Sequence, residues 1–210
     1  MNKDLVIYGT HGLGRELAMT VEMLDGWNHI GYFDDTIPVG TLISHRKLPT
    51  LNFDETIAKK DKPLYIVIAV ADPYGKEKLF NKLAGYNHVF FPTIIAPSAI
   101  IASDAKIGAG CIISHYVTVG PNTTIGRGVL LNTKFAVGHD TVIGDYSTFL
   151  SSTNISGNVV IGKRCFFGDQ AFVIEKKRIG NDVRVGAGSR VFTNVSDGWS
   201  VFGYPAVKIN

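Results

Sequence analysis

Ile101, Ile107, Ile113, Val119, Ile125, Leu131, Val137, Ile143, Phe149, Ile155, Ile161, Phe167, Val173, Ile179, Val185 and Val191 stand six residues apart, and every one is apolar. At 45% hydrophobic content, chance gives such a run roughly a few times in a million in any one register. The period is an instruction about structure. Neither the helix period of about 3.6 nor the strand period of about 2 produces it.

The neighbours of this column sharpen the reading. Glycine follows directly at Gly108, Gly120, Gly126, Gly138, Gly144, Gly162, Gly168, Gly180 and Gly186. Four places on, the side chain is usually small, as at Cys111, Thr123, Thr141, Ser147, Thr153, Cys165 and Ala171, with Phe135 and Lys177 as exceptions. A parallel β-helix answers to this grammar: one short strand and one corner per hexad, a large side chain inward, and Gly or Asn where the backbone turns sharply. Three hexads close a coil, and the register holds for about five coils without an inserted loop. The broken small-residue rule at Glu175-Lys176-Lys177 reads either as a local bulge in contact with phosphates or as a solvated corner.

Residues 1–91 follow a different pattern. Leu5-Val6-Ile7-Tyr8 reads as a buried strand, and Gly9-Thr10-His11-Gly12-Leu13-Gly14 as a tight loop. Arg15 to Leu24 reads as a helix with Leu17, Val21 and Leu24 on one face. Strands at His29–Phe33, Leu64–Ala71 and His88–Phe91 and a helix at Tyr74–Leu83 complete a small parallel α/β unit. Weaker signals place a strand at Leu42-Ile43 and a helix at Phe53–Lys59. Glycines after the first strand let the backbone approach a phosphate, and the following helix points its amides at the anion. The order is G-x-x-G-x-G rather than the dinucleotide fingerprint, so the loop suits a mononucleotide or nucleotide sugar, or no ligand at all. Asp34 and Asp35, at the end of the second strand, suit a ribose hydroxyl or a base edge, or a solvated turn.

Pro92 and Pro97 stiffen the link to the second domain, residues 92–210. The formal net charge of +3 has no Lys/Arg cluster with interleaved aromatics, which argues against nucleic acid. No apolar run has the length of a membrane span. Two cysteines at inward positions read as buried free thiols. They fit a reducing cytoplasm, as does an N-terminus that enters a strand without a signal-like segment.

His139 is the strongest candidate for chemistry. It lies two places after an inward residue, facing outward onto a flat side of the prism, with Asp140 beside it and Asn132 one hexad earlier. A histidine with a carboxylate neighbour can act as a general base near neutral pH. After a full coil of eighteen residues, Gly157 falls in phase with His139, so stacking brings the two close.

The hexad repeat resembles that of the hexapeptide-repeat acyltransferases, whose solenoid is a left-handed, triangular parallel β-helix. The small glycine-loop domain and Val137-Gly138-His139-Asp140-Thr141 narrow the resemblance to the sialic acid O-acetyltransferase NeuD family, which includes N-acetyltransferases of nucleotide-linked 4-amino sugars. The resemblance implies a Rossmann-like N-terminal domain holding the nucleotide sugar through Gly9, His11, Gly12, Gly14, Asp34 and Asp35. It implies acetyl-CoA along the β-helix between subunits of a homotrimer, His139 as the base, Asp140 orienting it, and Asn132 at the acceptor. It also implies a Gly157 N–H on the thioester oxygen and Lys208, after Tyr204-Pro205-Ala206, near the coenzyme. The chain departs from the family at Gly138, where many members carry a carboxylate. It departs again at Thr148, where some carry a second histidine, and at Lys76, where an arginine is usual.

N-acetylation of an amino sugar is the leading expectation, and O-acetylation of a sialic-acid-type hydroxyl uses the same residues. A zinc-dependent hydratase of the same fold needs three or four N/S ligands, and the repeat holds only His115 and His139. No metal is therefore expected. His115 reads as a surface or inter-subunit residue. A non-catalytic oligomerisation module would make His139 and Asp140 mere surface decoration.

Overall fold

The structure is a computed structural model that describes residues 2–209. Strand β1 (Lys3–Tyr8) lies at the centre of the first domain. It is followed by α1 (Gly12–Glu22), β2 (Trp27–Phe33), the short antiparallel pair β3 (Leu42–Ile43) and β4 (Leu48–Pro49), α2 (Phe53–Ile57), β5 (Leu64–Ile68), α3 (Pro73–Leu83) and β6 (Val89–Phe90). The parallel sheet has the order β2-β1-β5-β6. The strand order reverses between β1 and β5, so their carboxyl ends open a crevice where such sheets bind ligands. Leu5, Val6, Ile7, Ile66 and Val67 are fully buried, as expected of a parallel strand covered on both faces.

From Ile94 onward the chain winds as a triangular prism. Each two-residue strand pairs in parallel with the strand 18 residues later, as Thr118 pairs with Ala136 and Val119 with Val137. The first face runs from Ile94–Ile95 through Ile112–Ile113, the second from Ile100–Ile101 through Ala136–Val137, and the third from Lys106–Ile107 through Val142–Ile143. The inward column fills the axis. Phe149 stacks on Phe167 at 4.6 Å and tilts against Phe135 at 4.9 Å. Each such ring removed from water contributes about 2–3 kcal/mol.

The polar members of the small column are satisfied along the axis. Thr123, Thr141, Ser147 and Thr153 donate to the carbonyls of Gly138, Ser156, Gly162 and Gly168, and the thiols of Cys111 and Cys165 take the same place toward Gly126 and Gly180. Both cysteines are buried and free.

The glycine column has a different cause from the one expected. The left-handed backbone falls two places later, at every sixth residue from Gly110 to Gly188, and Asn, Asp, Ser, Tyr, Lys, Arg and Gln take it as well as Gly. The glycines directly after the inward residue are required by stacking. A Cβ at Gly144 would lie 2.6 Å from the Gly162 carbonyl carbon and the Lys163 nitrogen of the next coil. Nor is there a bulge at Glu175–Lys177: Val160 pairs with Arg178 in unbroken register, with the Lys177 carbonyl in the ladder. The period does shorten at the end, where Arg184 pairs with Ser200, and the antiparallel strands Ser200–Gly203 and Ala206–Lys208 close the last coil.

The first domain sits on the first face. Ile94, Ile112 and Leu130 pack into one core with Leu5, Ile7, Leu17 and Val21. Polar contacts from α3 fix the rest of this seam. Lys76 is fully buried, its Nζ donating to Thr148 Oγ1 at 2.9 Å and the Ser147 carbonyl at 3.3 Å. Burial lowers its pKa to about 7. Arg164 forks onto both oxygens of Asp182, at 2.6 and 3.0 Å, and reaches Glu77 of α3 at 3.2 Å.

Candidate active site

Three kinds of corner separate the faces, and they divide the candidate residues. His139 and Asp140 lie on the corner after the second face, rather than on a flat side. The side chain of His139 is 60% exposed. Its Nδ1 is 2.7 Å from Asp140 Oδ2. An ionised carboxylate only accepts, so Nδ1 carries the proton and the lone pair is on Nε2. The Asp140 carboxyl is held below its usual range, first by the Asn122 amide and then by His139. Asp140 adopts the left-handed conformation of the corner, with φ of 56°, which Asp tolerates better than most residues.

One coil further on, Gly157 lies beneath the imidazole. A Cβ there would be 2.8 Å from His139 Nε2, so this position is open only because it is glycine. At other corners the equivalent N–H is taken by a side chain from the next coil, as Arg127 N–H is by Asp145 and Lys163 N–H by Asn181. The Gly157 N–H has no such partner among the described residues, whereas its neighbour Asn158 N–H is bound by the His139 carbonyl. A lone-pair nitrogen and a free backbone donor thus stand side by side. That arrangement can take a proton from a nucleophile and stabilise an oxyanion.

The glycine loop and Asn132 are elsewhere. Helix α1 begins at Gly12, three residues earlier than expected, so the loop proper is Gly9–His11 and Gly12 and Gly14 belong to the first turn. Gly14 is required because a Cβ would lie 1.9 Å from the Gly9 carbonyl oxygen. Gly12 faces open space. His11, the N-cap residue, makes no capping bond with its side chain, which leaves the first-turn amides open. Asp34 fixes this loop. Its Oδ2 accepts from Thr10 N and Oγ1, and its Oδ1 from Thr36 N and Oγ1. Burial alone would raise its pKa, but these four donors override it and bring the value to about 2. Asp35 is exposed and accepts the Tyr8 hydroxyl on Oδ1.

Asn132 lies on the corner between the first and second faces, its Oδ1 taken by Thr133 N at 2.7 Å. A groove of about 580 Å³ runs along this corner beneath α1, lined by Leu13, Leu17, Thr20, Ser114, His115 and Thr133 among others. His115 belongs to this seam rather than to open surface, with Nδ1 2.8 Å from Ser98 Oγ and Nε2 3.5 Å from Thr20 Oγ1. Lys208 stands on the third edge of the cap, over the Trp199 ring at 4.7 Å, away from the His139 corner. Asn122, bonded to Asp140, is the residue that sequence reasoning passed over. Its signal was the coil period, since it lies one turn before Asp140.

Residues 4–83 match the PglD N-terminal domain family. Over both domains the structure superposes on the acetyltransferase domain of PglB from Neisseria gonorrhoeae FA1090 with a TM-score of 0.91, at 24% identity, covering 99% of this chain and 100% of that one. This chain has that fold. The triangular solenoid is accordingly a left-handed parallel β-helix preceded by an α/β domain. PerB from Caulobacter crescentus, solved with CoA and GDP-perosamine, superposes with a TM-score of 0.90 at 24% identity, covering 99% and 97% of the two chains. WeeI from Acinetobacter baumannii AYE gives 0.88 at 25% identity, covering 99% and 100%. Among the described residues no group of three or more His, Cys, Asp or Glu side chains is placed to hold a metal ion, and no helix is long and apolar enough to cross a membrane.

Proposed function

We propose that this protein is an acetyl-CoA-dependent N-acetyltransferase that acts on the amino group of a nucleotide-linked amino sugar. The observation that carries the reading is His139 Nε2 poised over Gly157, with Nδ1 held by Asp140. The similar folds add support, since the PglB domain has also been solved with acetyl coenzyme A and PerB with a nucleotide-linked sugar.

The chemistry is direct transfer. The neutral acceptor amine attacks the thioester carbonyl, and the developing oxyanion takes a hydrogen bond from the Gly157 N–H. His139 Nε2 collects the amine proton, Asp140 stabilises the imidazolium, and the C–S bond breaks to release the CoA thiolate. An acyl-cysteine route is poorly served, because burial raises the thiols of Cys111 and Cys165 to about 11. The acceptor's phosphates meet the open amides of α1 beside Gly9, His11, Gly12 and Gly14. Asp35 presents the freer carboxylate to the nucleoside, while Asp34 holds the loop in shape.

The α1 end and Asn132 lie along one edge of the second face and His139 along the other. A complete site therefore draws its acceptor-binding half from one copy and its base from a neighbouring copy, as in the homotrimer that the resemblance implies. Lys208, remote from His139 in its own chain, would reach coenzyme only in such an assembly. The cytoplasm, where acetyl-CoA and nucleotide sugars are made, is the proposed location.

The test is release of free CoA thiol with a panel of UDP-, dTDP- and GDP-linked amino sugars and free sialic acid. A product acetylated on nitrogen, resistant to mild alkali, supports the proposal. An alkali-labile ester formed only on sialic acid replaces it with O-acetylation, and absence of CoA binding defeats both.

A further inference from the structure

The imidazole of His139 has a single hydrogen-bonding partner among the described residues, the Asp140 carboxylate, and that carboxylate is itself 45% exposed. A side chain so exposed turns freely about its own bonds unless something holds it. Asn122 supplies the hold. It occupies the same corner one coil earlier, and its Nδ2 donates to Asp140 Oδ1 at 2.7 Å, leaving Oδ2 for His139. Asn122 is fixed in turn. Its backbone N–H donates to Asp104 Oδ2 at 3.1 Å, and the coil carrying it accepts the Asp140 N–H on the Pro121 carbonyl at 3.0 Å. Asp104, Asn122 and Asp140 thus form a ladder down one edge of the prism that ends on the imidazole.

We propose that Asn122 is a positioning residue, which orients Asp140 so that His139 keeps its proton on Nδ1 and presents an unprotonated Nε2 over Gly157. The proposal rests on the acetyl-transfer reading for its kinetic consequence, but the tautomer is a property of the free protein. An isolated neutral imidazole has no partner to fix its proton, whereas an oriented carboxylate at Nδ1 selects one form. The other charged side chains on this corner, Glu175, Lys176 and Lys177, lie two coils beyond His139, and none bonds to it.

The test uses the full chain labelled with ¹⁵N-histidine. Asn122→Gly suits the left-handed corner, where φ is 52°, and Asn122→Asp keeps the shape but removes the amide donors. Wild-type His139 is expected to show Nε2 predominantly unprotonated, and both variants to shift toward the Nε2–H form. With the acceptor that the panel identifies, kcat is expected to fall about tenfold. The KM for acetyl-CoA should stay within about twofold. An unchanged tautomer in both variants overturns the proposal, whether kcat falls or not. A shifted tautomer in a protein that never transfers acetyl to any acceptor leaves Asn122 as the positioner and defeats the activity reading instead.

Discussion

Gly157→Ala isolates the contact between the base and the coil beneath it. The added Cβ would stand 2.8 Å from His139 Nε2 and 2.9 Å from Cε1, and no other neighbour lies among its three closest atoms. Ordinary contact begins at 3.4 Å, so the ring must withdraw by about 0.6 Å. It can do so cheaply, because the side chain is 60% exposed. Gly157 is also outside the left-handed region, so alanine costs no backbone strain, and the less flexible unfolded chain returns about 0.4–1 kcal/mol. The fold should therefore be unaffected, with Tm within about 3 °C of wild type. Catalysis should not be. A misplacement of about 1 Å in a reacting group can cost about 100-fold, so this smaller shift, with a methyl beside the oxyanion donor, should lower kcat about 10- to 100-fold. Steady-state kinetics beside a thermal melt give both numbers. A variant with kcat within about twofold of wild type would refute the placement of His139 over Gly157 as the working geometry.

Gly144→Ala should show the opposite pattern, since its Cβ meets backbone of the next coil at 2.6 Å and backbone cannot step aside. A loss of about 2–3 kcal/mol in denaturant melts is expected. Lys76 has a folded pKa of about 7, below its unfolded value, so the unfolded state binds more protons above pH 7. Wild-type stability should rise from about pH 7 toward 10, by up to about 1.4 kcal/mol per pH unit from this group. Lys76→Met should be flatter over that range and more stable at pH 7, because the Ser147 carbonyl keeps the Leu130 N–H and Thr148 keeps the Ala71 carbonyl; an identical slope would contradict the lowered pKa of the buried amine. Gly12→Asp places a negative charge at the mouth of the open amides without meeting any neighbour. It should abolish transfer, and mixing it with His139→Ala subunits under exchange should restore part of the activity if sites are shared between copies.

The prism was legible because its cause is periodic. The inward column runs on a single step of six, and the strand pairs follow it without a slip from Ile94 to Val191. What the period did not reveal was why each position holds its residue. The glycines after the inward residue looked like turn residues, yet they make room for the next coil, and the turning is done two places later by side chains such as Asn122 and Asp140. Lys177 looked unable to fit, yet it is only half-buried at a corner and the register passes through it.

The candidate site was partly legible for the same reason. His139 and Gly157 could be stacked from the coil length, and the same arithmetic applied to Asp140 reaches Asn122. The limits lay mainly in contacts between residues far apart in the chain. Nothing in the spacing says that Lys76 is buried against Thr148, that His115 joins Ser98 and Thr20, or that Asp34 is saturated by Thr10 and Thr36. Lys76–Thr148 and His115–Thr20 depend on how the α/β unit lies on the first face, while His115–Ser98 forms within the β-helix and Asp34 meets Thr10 and Thr36 inside the α/β unit; no local pattern encodes any of them.

The most direct test of the central claim compares wild type with His139→Ala at saturating acetyl-CoA and the acceptor that the panel identifies, with CoA affinity measured alongside. The account expects thiol release to fall by about 100-fold or more, with CoA binding within about twofold of wild type. Release at the wild-type rate in the variant would contradict it, and would assign the proton transfer to some other group.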